Sequence, residues 1–556
     1  MITHPRYTHK VYSNHNLLVA VLIIIAIFVG IIFSPLILSS YWDEIAQYRI
    51  GEYNFNKYVS LFDGIFGTSF ADPAYADFDN FGDNDYGSVF EVLIAAVGHL
   101  AYKVFPVFDL SYLIVLKHTA VYMVFLLGTS GVYYMAKRRT GSFYGGLTAA
   151  LVFFLSPRLF GNAFYNSKDI VFLSFFALSV NYILLTADRF RISSLFLAAF
   201  FTALATSARI IGIFSLFFGA FVFFVDWYRS GWSLRKTTAA VGCFCGLTLL
   251  LIYISYPYLW PSPFSRIYDV IKTMSKFSRH PDIGFVDGER IRTSLSWSYL
   301  TLWVSITLPY TFIALALCGS LKGIALIIRR TCMLSLWQNS KELCDYATTG
   351  LGIAPIIVSL FIHPWLYNGW RHFYFLMPFL SVATAVGIYF LASIFVNSKA
   401  RSFIKMWFAA VVVFESLVGL IMYFPYPNCY FNTAAGANVI ERYDFDYAET
   451  SAYDALVKIL SYQKNMSKPI SIAADDMDLR QVSPRLGQAD KMVSFTEKVM
   501  PDYVISSLPE KTEIERQLYD EVSVITTLGG EVVLRILVPN GKRDSFCKAN
   551  AEKCKI

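Results

Sequence analysis

Charge is what this 556-residue sequence has least of. Asp, Glu, Lys and Arg together make up 16% of it, against about a quarter in an ordinary soluble domain. A chain so poor in charge cannot cover a water-facing surface. The net charge is only +7, which belongs to loops on one side of a membrane and argues against nucleic-acid binding. Cysteine is scarce too. The eight cysteines show no CxxC pair and no Cys/His spacing of the zinc kind. Cys547 and Cys554 fall in a part read as extracytoplasmic, where they could pair. No internal repeat and no low-complexity linker breaks the chain. The Asp-rich stretch with Asp72, Asp77, Asp79, Asp83 and Asp85 hints at calcium. It lacks the EF-hand order and its closing Glu, so it reads as a solvated loop. Asn465-Met466-Ser467 is a glycosylation sequon by pattern, and chance accounts for it.

What is present is apolar. Hydrophobic residues make up 56% and aromatics 17%, and the mean hydropathy is +0.48. The chain reads as a polytopic membrane protein. Residues 17–38 form an uncharged run long enough to cross a bilayer. Arg6 and Lys10 precede it, which keeps the N-terminus cytoplasmic, and no small-residue cleavage pattern follows. Further spans are expected at 112–136, 143–155, 170–186, two short ones within 192–225, 239–256, 296–328, 354–365, 373–395 and 406–424. One helix over 192–225 would run roughly 50 Å, too long for the hydrocarbon core, so a break near Ser207-Ala208-Arg209 fits better. The count is about eleven spans. Basic clusters such as Lys137-Arg138-Arg139 fall inside under this topology. The run 89–105 is interrupted by Glu91, His99 and Lys103 and reads as an amphipathic helix on the outer face.

The expected fold is therefore an all-α polytopic membrane domain over 1–424, with a small extracytoplasmic α/β domain over 425–556. Residues 39–110 form the first outer loop, with amphipathic surface helices. The β-like runs Ile470-Ser471-Ile472-Ala473 and Val532 to Leu537, with helical patterns such as that at 453–462, carry the second domain.

Under this topology Asp43, Glu44, Arg158, Lys168, Asp169, Arg209, Arg371 and His372 all fall at the outer face. Two adjacent carboxylates at the mouth of the first span are costly unless they act there. Cations and carboxylates on one face suit a lipid phosphate held by Arg and Lys while a carboxylate takes a proton. Plainer roles compete. Lys168 and Asp169 can cap a helix, Arg371 and His372 can snorkel at the interface, and Arg209 can mark a turn. Glu415 lies inside the last span and reads as a structural partner of a buried cation.

Four segments carry a resemblance. They are Asp43-Glu44 after the first span; Ser156-Pro157-Arg158-Leu159-Phe160-Gly161-Asn162 with Tyr165-Asn166-Ser167-Lys168-Asp169; Tyr367-Asn368-Gly369-Trp370-Arg371-His372; and Tyr430-Phe431-Asn432 with Gly436 and Asp446-Tyr447. In order and spacing the chain resembles a GT-C-type integral membrane glycosyltransferase. It is nearest the family 39 protein O-mannosyltransferase and aminoarabinose-transferase-like group of bacterial type. The resemblance implies a dolichyl- or undecaprenyl-phosphate sugar donor and inverting transfer at the outer face of a bacterial inner membrane. It implies Asp43 as general base, with Glu44 positioning acceptor or base and Asp169 as the second acid. Lys168, Arg371, His372 and Arg209 are then the candidates for the donor phosphate. The acceptor is a glycan, a lipid or a protein, and no metal ligand set is evident.

Two departures stand out. The outer loop 257–296 is too short for the lectin-like module of eukaryotic protein mannosyltransferases, which disfavours a protein acceptor. The segment Asp446-Tyr447-Ala448-Glu449 lacks the family's Trp-Gly. The competing function is a transporter or flippase of a lipid-linked or anionic solute. That class implies paired repeats and broken helices near the midplane, and the sequence shows neither. A scaffold that binds a partner through the C-terminal domain would leave the acidic pair without a purpose.

Overall fold

The computed structural model describes residues 5–36, 43–105, 110–275, 282–462, 469–474, 479, 486, 490–495, 501–506, 518–543 and 546. Cys547, Cys554, the 465–467 sequon, Tyr41 and the end of the first apolar run lie outside these residues.

Apolar runs become long helices. In chain order they are α1 (Pro5–Leu36), α2 (Glu44–Phe66), α3 (Val89–Val104), α4 (Leu110–Thr140), α5 (Phe143–Phe154), α6 (Pro157–Tyr165), α7 (Asp169–Asp188), α8 (Ile192–Ala208), α9 (Ile213–Arg229) and α10 (Leu234–Ser255). The next loop holds α11 (Pro263–Ser275) and a small antiparallel hairpin, β1 (Gly284–Val286) with β2 (Glu289–Ile291). Then come α12 (Tyr299–Thr307), α13 (Tyr310–Cys332), α14 (Ser340–Thr348), α15 (Ala354–Ile362), α16 (Met377–Ser393) and α17 (Ser398–Met422). Among the described residues, nine helical stretches are long and apolar enough to cross a membrane, or ten if α5 and α6 count as one bent span. The expected count of about eleven is therefore high. The difference is α8, apolar but only 17 residues long.

Three local departures have clear causes. Residues 156–169 read as an outer loop, yet they hold α6, bent 66° from α5. Pro157 sits at the first helical position, where its missing N–H costs nothing. All nine residues of α6 are buried, and Phe160 and Phe164 pack on Phe33 and Tyr122. The ninth apolar run starts earlier than expected, because α14 and α15 are joined by a π-helical turn over Thr349–Ile353. Pro355, just past that turn, cannot donate into a regular α ladder, and the wider turn absorbs the mismatch. Among the described residues Glu415 meets no cation. Its carboxylate accepts the backbone N–H groups of Tyr310 at 2.7 Å and Thr311 at 2.8 Å, and so caps α13.

Most of the helices share one large buried core, and a smaller cluster joins α8, α10 and α11. At the α13–α16 crossing, Gly319 faces the carbonyl of Ala383 and Gly387 faces that of Leu315, with no room for a Cβ. Two backbones in near contact are how helices associate where no hydrophobic effect drives them together.

The C-terminal part contains α18 (Ala452–Ser461) and a five-stranded mixed sheet. Its strands are β3 (Ile470–Ala474), β4 (Val493–Phe495), β5 (Tyr503–Ser506), β6 (Tyr519–Thr526) and β7 (Val532–Pro539), in spatial order β4-β3-β5-β7-β6. β3 runs parallel to β4 and β5, and β7 is antiparallel to β5 and β6. Both β-like runs of the sequence are thus strands, and the helical pattern at 453–462 is α18, which precedes them. The segment leading into this part packs on the helices. Asn432 donates to the carbonyls of Ser305 and Leu308.

Candidate functional site

Asp43 stands at the N-terminus of α2, after the first apolar helix, and its backbone carbonyl accepts the N–H of Gln47. Its side chain meets Arg371, with Nη1 to Oδ2 at 3.0 Å. Arg371 is aimed there by the turn before it. Asn368 and Gly369 take positive φ of 55° and 70°. A Cβ on Gly369 would lie 3.2 Å from the Trp303 ring, so the position needs glycine twice over. Trp370 locks the turn by donating to Thr307 at 2.8 Å.

The second half of the site is the turn from α6 to α7. Asn166 accepts the backbone N–H of Asp169 at 2.9 Å and donates to its carboxylate at 3.0 Å. Asp169 opens α7, where an acid suits the helix dipole, and its other oxygen pairs with Arg209. Arg209 lies at the break between α8 and α9, the position the span-length argument selects. Lys168 caps α7 and places its ammonium 3.5 Å from the centre of the Tyr86 ring. Asp43 feels Lys168, Asp169, Arg209 and Asp83 electrostatically. Five of the expected residues, Asp43, Lys168, Asp169, Arg209 and Arg371, therefore converge at one end of the helical body.

The environment sets the protonation. Burial pushes Asp43 up to about 6, with Asp169 adding to the rise and Lys168 and Arg209 opposing it. The Arg371 ion pair also opposes it. Burial, then Arg209, pulls Lys168 down, against the attraction of Asp43 and Asp169. A carboxylate poised near neutrality beside a lysine drawn toward it is a usual setting for proton transfer.

His372 and Glu44 are placed differently. His372 packs edge-on against Tyr367 at 4.6 Å, and the Arg371 guanidinium lies 5.1 Å from the same ring. Glu44 is buried, with its carboxylate 3.1 Å from His118 on α4. Next to His118, Lys117 pairs at 2.9 Å with Glu91 of α3, whose other oxygen accepts the Ser167 hydroxyl. Consecutive residues of one apolar helix thus hold the acidic helices α2 and α3. Sequence reasoning missed Lys117 and His118, although two ionisable residues inside an apolar span are themselves a signal. It also gave no role to Tyr86, Tyr374 or Tyr447, which become neighbours of the site only through folding.

Among the described residues, no group of three or more His, Cys, Asp or Glu is placed to hold a metal ion. Asp72 caps a short 3-10 turn, and Asp79 pairs with Lys57 and Arg266. No protein-family model matches the chain, and no curated protein matches it significantly.

Proposed function

We propose that the protein is an inverting glycosyltransferase that moves a sugar from a polyprenyl-phosphate donor to an acceptor hydroxyl or amine at the membrane surface. One observation carries the reading. A recessed carboxylate, Asp43, is drawn together with Lys168, Arg209 and Arg371 at the end of a membrane-spanning helical body. In the proposed step Asp43 takes the acceptor proton as the acceptor atom bonds to the anomeric carbon. The bond from that carbon to the phosphate oxygen breaks, and its electron pair leaves on the phosphate. Cations near the leaving phosphate stabilise the charge that develops there. Asp169, paired with Arg209, fixes that arginine. The bacterial inner membrane, an outward-facing site and a bacterial-type donor follow from the resemblance of the sequence segments.

The test uses purified protein in detergent with a panel of radiolabelled polyprenyl-phosphate sugars. Release of polyprenyl phosphate by wild type and its loss in Asp43→Asn supports the reading. Failure of folded wild type to turn over any donor, with every acceptor class supplied, defeats it.

A second reading, a transporter or flippase of an anionic lipid-linked solute, has one observation in its favour. The span formed by α5 and α6 is broken by 66°, and broken helices line transport sites. Movement of a labelled polyprenyl-phosphate lipid across proteoliposomes without sugar transfer would favour it.

A further inference from the structure

The three arginines in and behind this site do not have equal partners. Arg371 pairs with Asp43, and Arg209 pairs with Asp169. Arg158, in the first turn of α6, makes no ion pair among the described residues. It is 1% exposed. Its Nε donates to the Tyr430 carbonyl at 2.8 Å. Its Nη1 and Nη2 are both buried with no hydrogen-bond partner among the described residues. Two aromatic rings cover the guanidinium, Phe431 at 4.5 Å and Trp303 at 5.4 Å from its carbon. Two acids of the following segment form no ion pair with it. Asp444 lies within its electrostatic range and accepts the Phe285 N–H at 3.2 Å. Asp446 is taken up by Thr450 and Ser451. A buried cation whose two terminal nitrogens are unpaired is costly, and such a group calls for an absent ligand.

The surroundings connect this group to the site. Arg158, Asn162 and Asn166 fall at fourfold spacing along α6, so they share one face. Asn162 donates to the Arg158 carbonyl at 2.9 Å, Asn166 donates to Asn162 at 3.0 Å, and Asn166 binds Asp169. The ladder spans roughly 12 Å from Arg158 to Asn166, at helical rise. The Tyr374 and Tyr447 hydroxyls meet beside it at 3.4 Å, and Tyr447 lies within electrostatic range of both Arg158 and Arg371. This is a polar seam inside an apolar body, ending at a planar two-nitrogen fork. Such a fork matches two oxygens of a phosphate.

We propose that Arg158 is an anion subsite and that its occupant is the phosphate of the lipid-linked donor, held in bidentate fashion by Nη1 and Nη2 of the guanidinium that the Phe431 and Trp303 rings cover. The proposal rests on the glycosyl-transfer reading for the nature of the lipid. It differs in giving the phosphate to the arginine that forms no ion pair among the described residues, in place of Arg371 and Arg209.

The experiment compares full-length wild type, Arg158→Gln and Arg158→Lys in detergent. Affinity for a sugar-free polyprenyl phosphate is measured in one arm and for inorganic phosphate in the other, each with the melting temperature. The expected result is binding of the lipid phosphate by wild type, at least tenfold weaker in Arg158→Gln, with an unchanged or raised melting temperature. Removing an unsatisfied buried charge relieves the empty protein, whereas a purely structural arginine would lower the melting temperature and leave affinity alone. Equal affinity in wild type and Arg158→Gln overturns the assignment while leaving the transfer reading intact. Tight binding of inorganic phosphate but not the lipid overturns the lipid occupant. Binding of neither by wild type sinks both readings. If Arg158→Gln does not fold, Arg158→Lys decides, because it keeps the charge and loses the fork. Tenfold weaker binding then supports the assignment, and undiminished binding overturns it.

Discussion

Asp43 and Arg371 are separated by 328 positions in the chain, and their side chains meet at 3.0 Å. One opens α2, just after the first apolar helix, and the other opens the turn into α16. The contact ties the beginning of the helical body to its later part, at the point where the cations gather.

The plainest consequence concerns the carboxylate itself. Asp43→Asn keeps the size and removes the proton acceptor of the proposed transfer. Turnover is expected to fall by about 10²- to 10⁴-fold, the usual worth of a positioned base, with donor affinity within a few-fold of wild type. Steady-state release of polyprenyl phosphate, beside equilibrium donor binding, checks both halves.

Acidity should show the same group. Asp43 is pushed up to about 6, so below that pH it is protonated and cannot accept a proton. Activity should rise with pH through about 6 and flatten above it. Arg371→Gln removes a cation that favours the ionised form, and the rising limb should move to higher pH. A pH profile of turnover in both proteins decides; an identical limb would remove Asp43 as its source.

The Lys117–Glu91 pair, about 5% exposed on each side, predicts a cycle of stabilities. Lys117→Met leaves Glu91 buried beside Ser167 with its cation gone, at a cost of about 3–5 kcal/mol. Adding Glu91→Gln should recover much of that loss. Thermal unfolding of the single and double variants in one detergent measures it. Additive losses would show that the two groups do not act as a pair.

Gly369→Ala tests the turn. The position has φ +70° and faces the Trp303 ring. A cost of about 1–2 kcal/mol is expected from the left-handed backbone, and turnover should fall further than stability as Arg371 is displaced. Comparing the melting temperature with turnover separates the two effects.

Much of the helical body was legible because an apolar run of bilayer length has few alternatives. The break at Arg209 was legible from length, and β3 and β7 from their β-branched runs. The α6 helix was not. Ser-Pro-Arg and Asn-Ser-Lys-Asp flank it with the residues of a turn, and only burial against Phe33 and Tyr122 makes the segment between them a helix. The hairpin β1–β2 escaped for a similar reason. Its strands are three residues each, too short to show alternation.

The candidate site divides the same way. That Asp43, Lys168, Asp169, Arg209 and Arg371 interrupt or flank apolar helices was plain in the sequence, because ionisable groups are conspicuous beside spans. Which cation meets which carboxylate was not. Glu44 follows Asp43 directly, yet helix geometry turns it about 100° away, toward His118. Arg158 lies in a motif that also holds Lys168 and Asp169, yet folding leaves it with no ion pair among the described residues and under two rings from distant segments. Local composition determined that this chain forms a bundle of apolar helices with charges at one end. Tertiary packing decided which of those charges pair with one another, because that depends on distances between segments hundreds of residues apart.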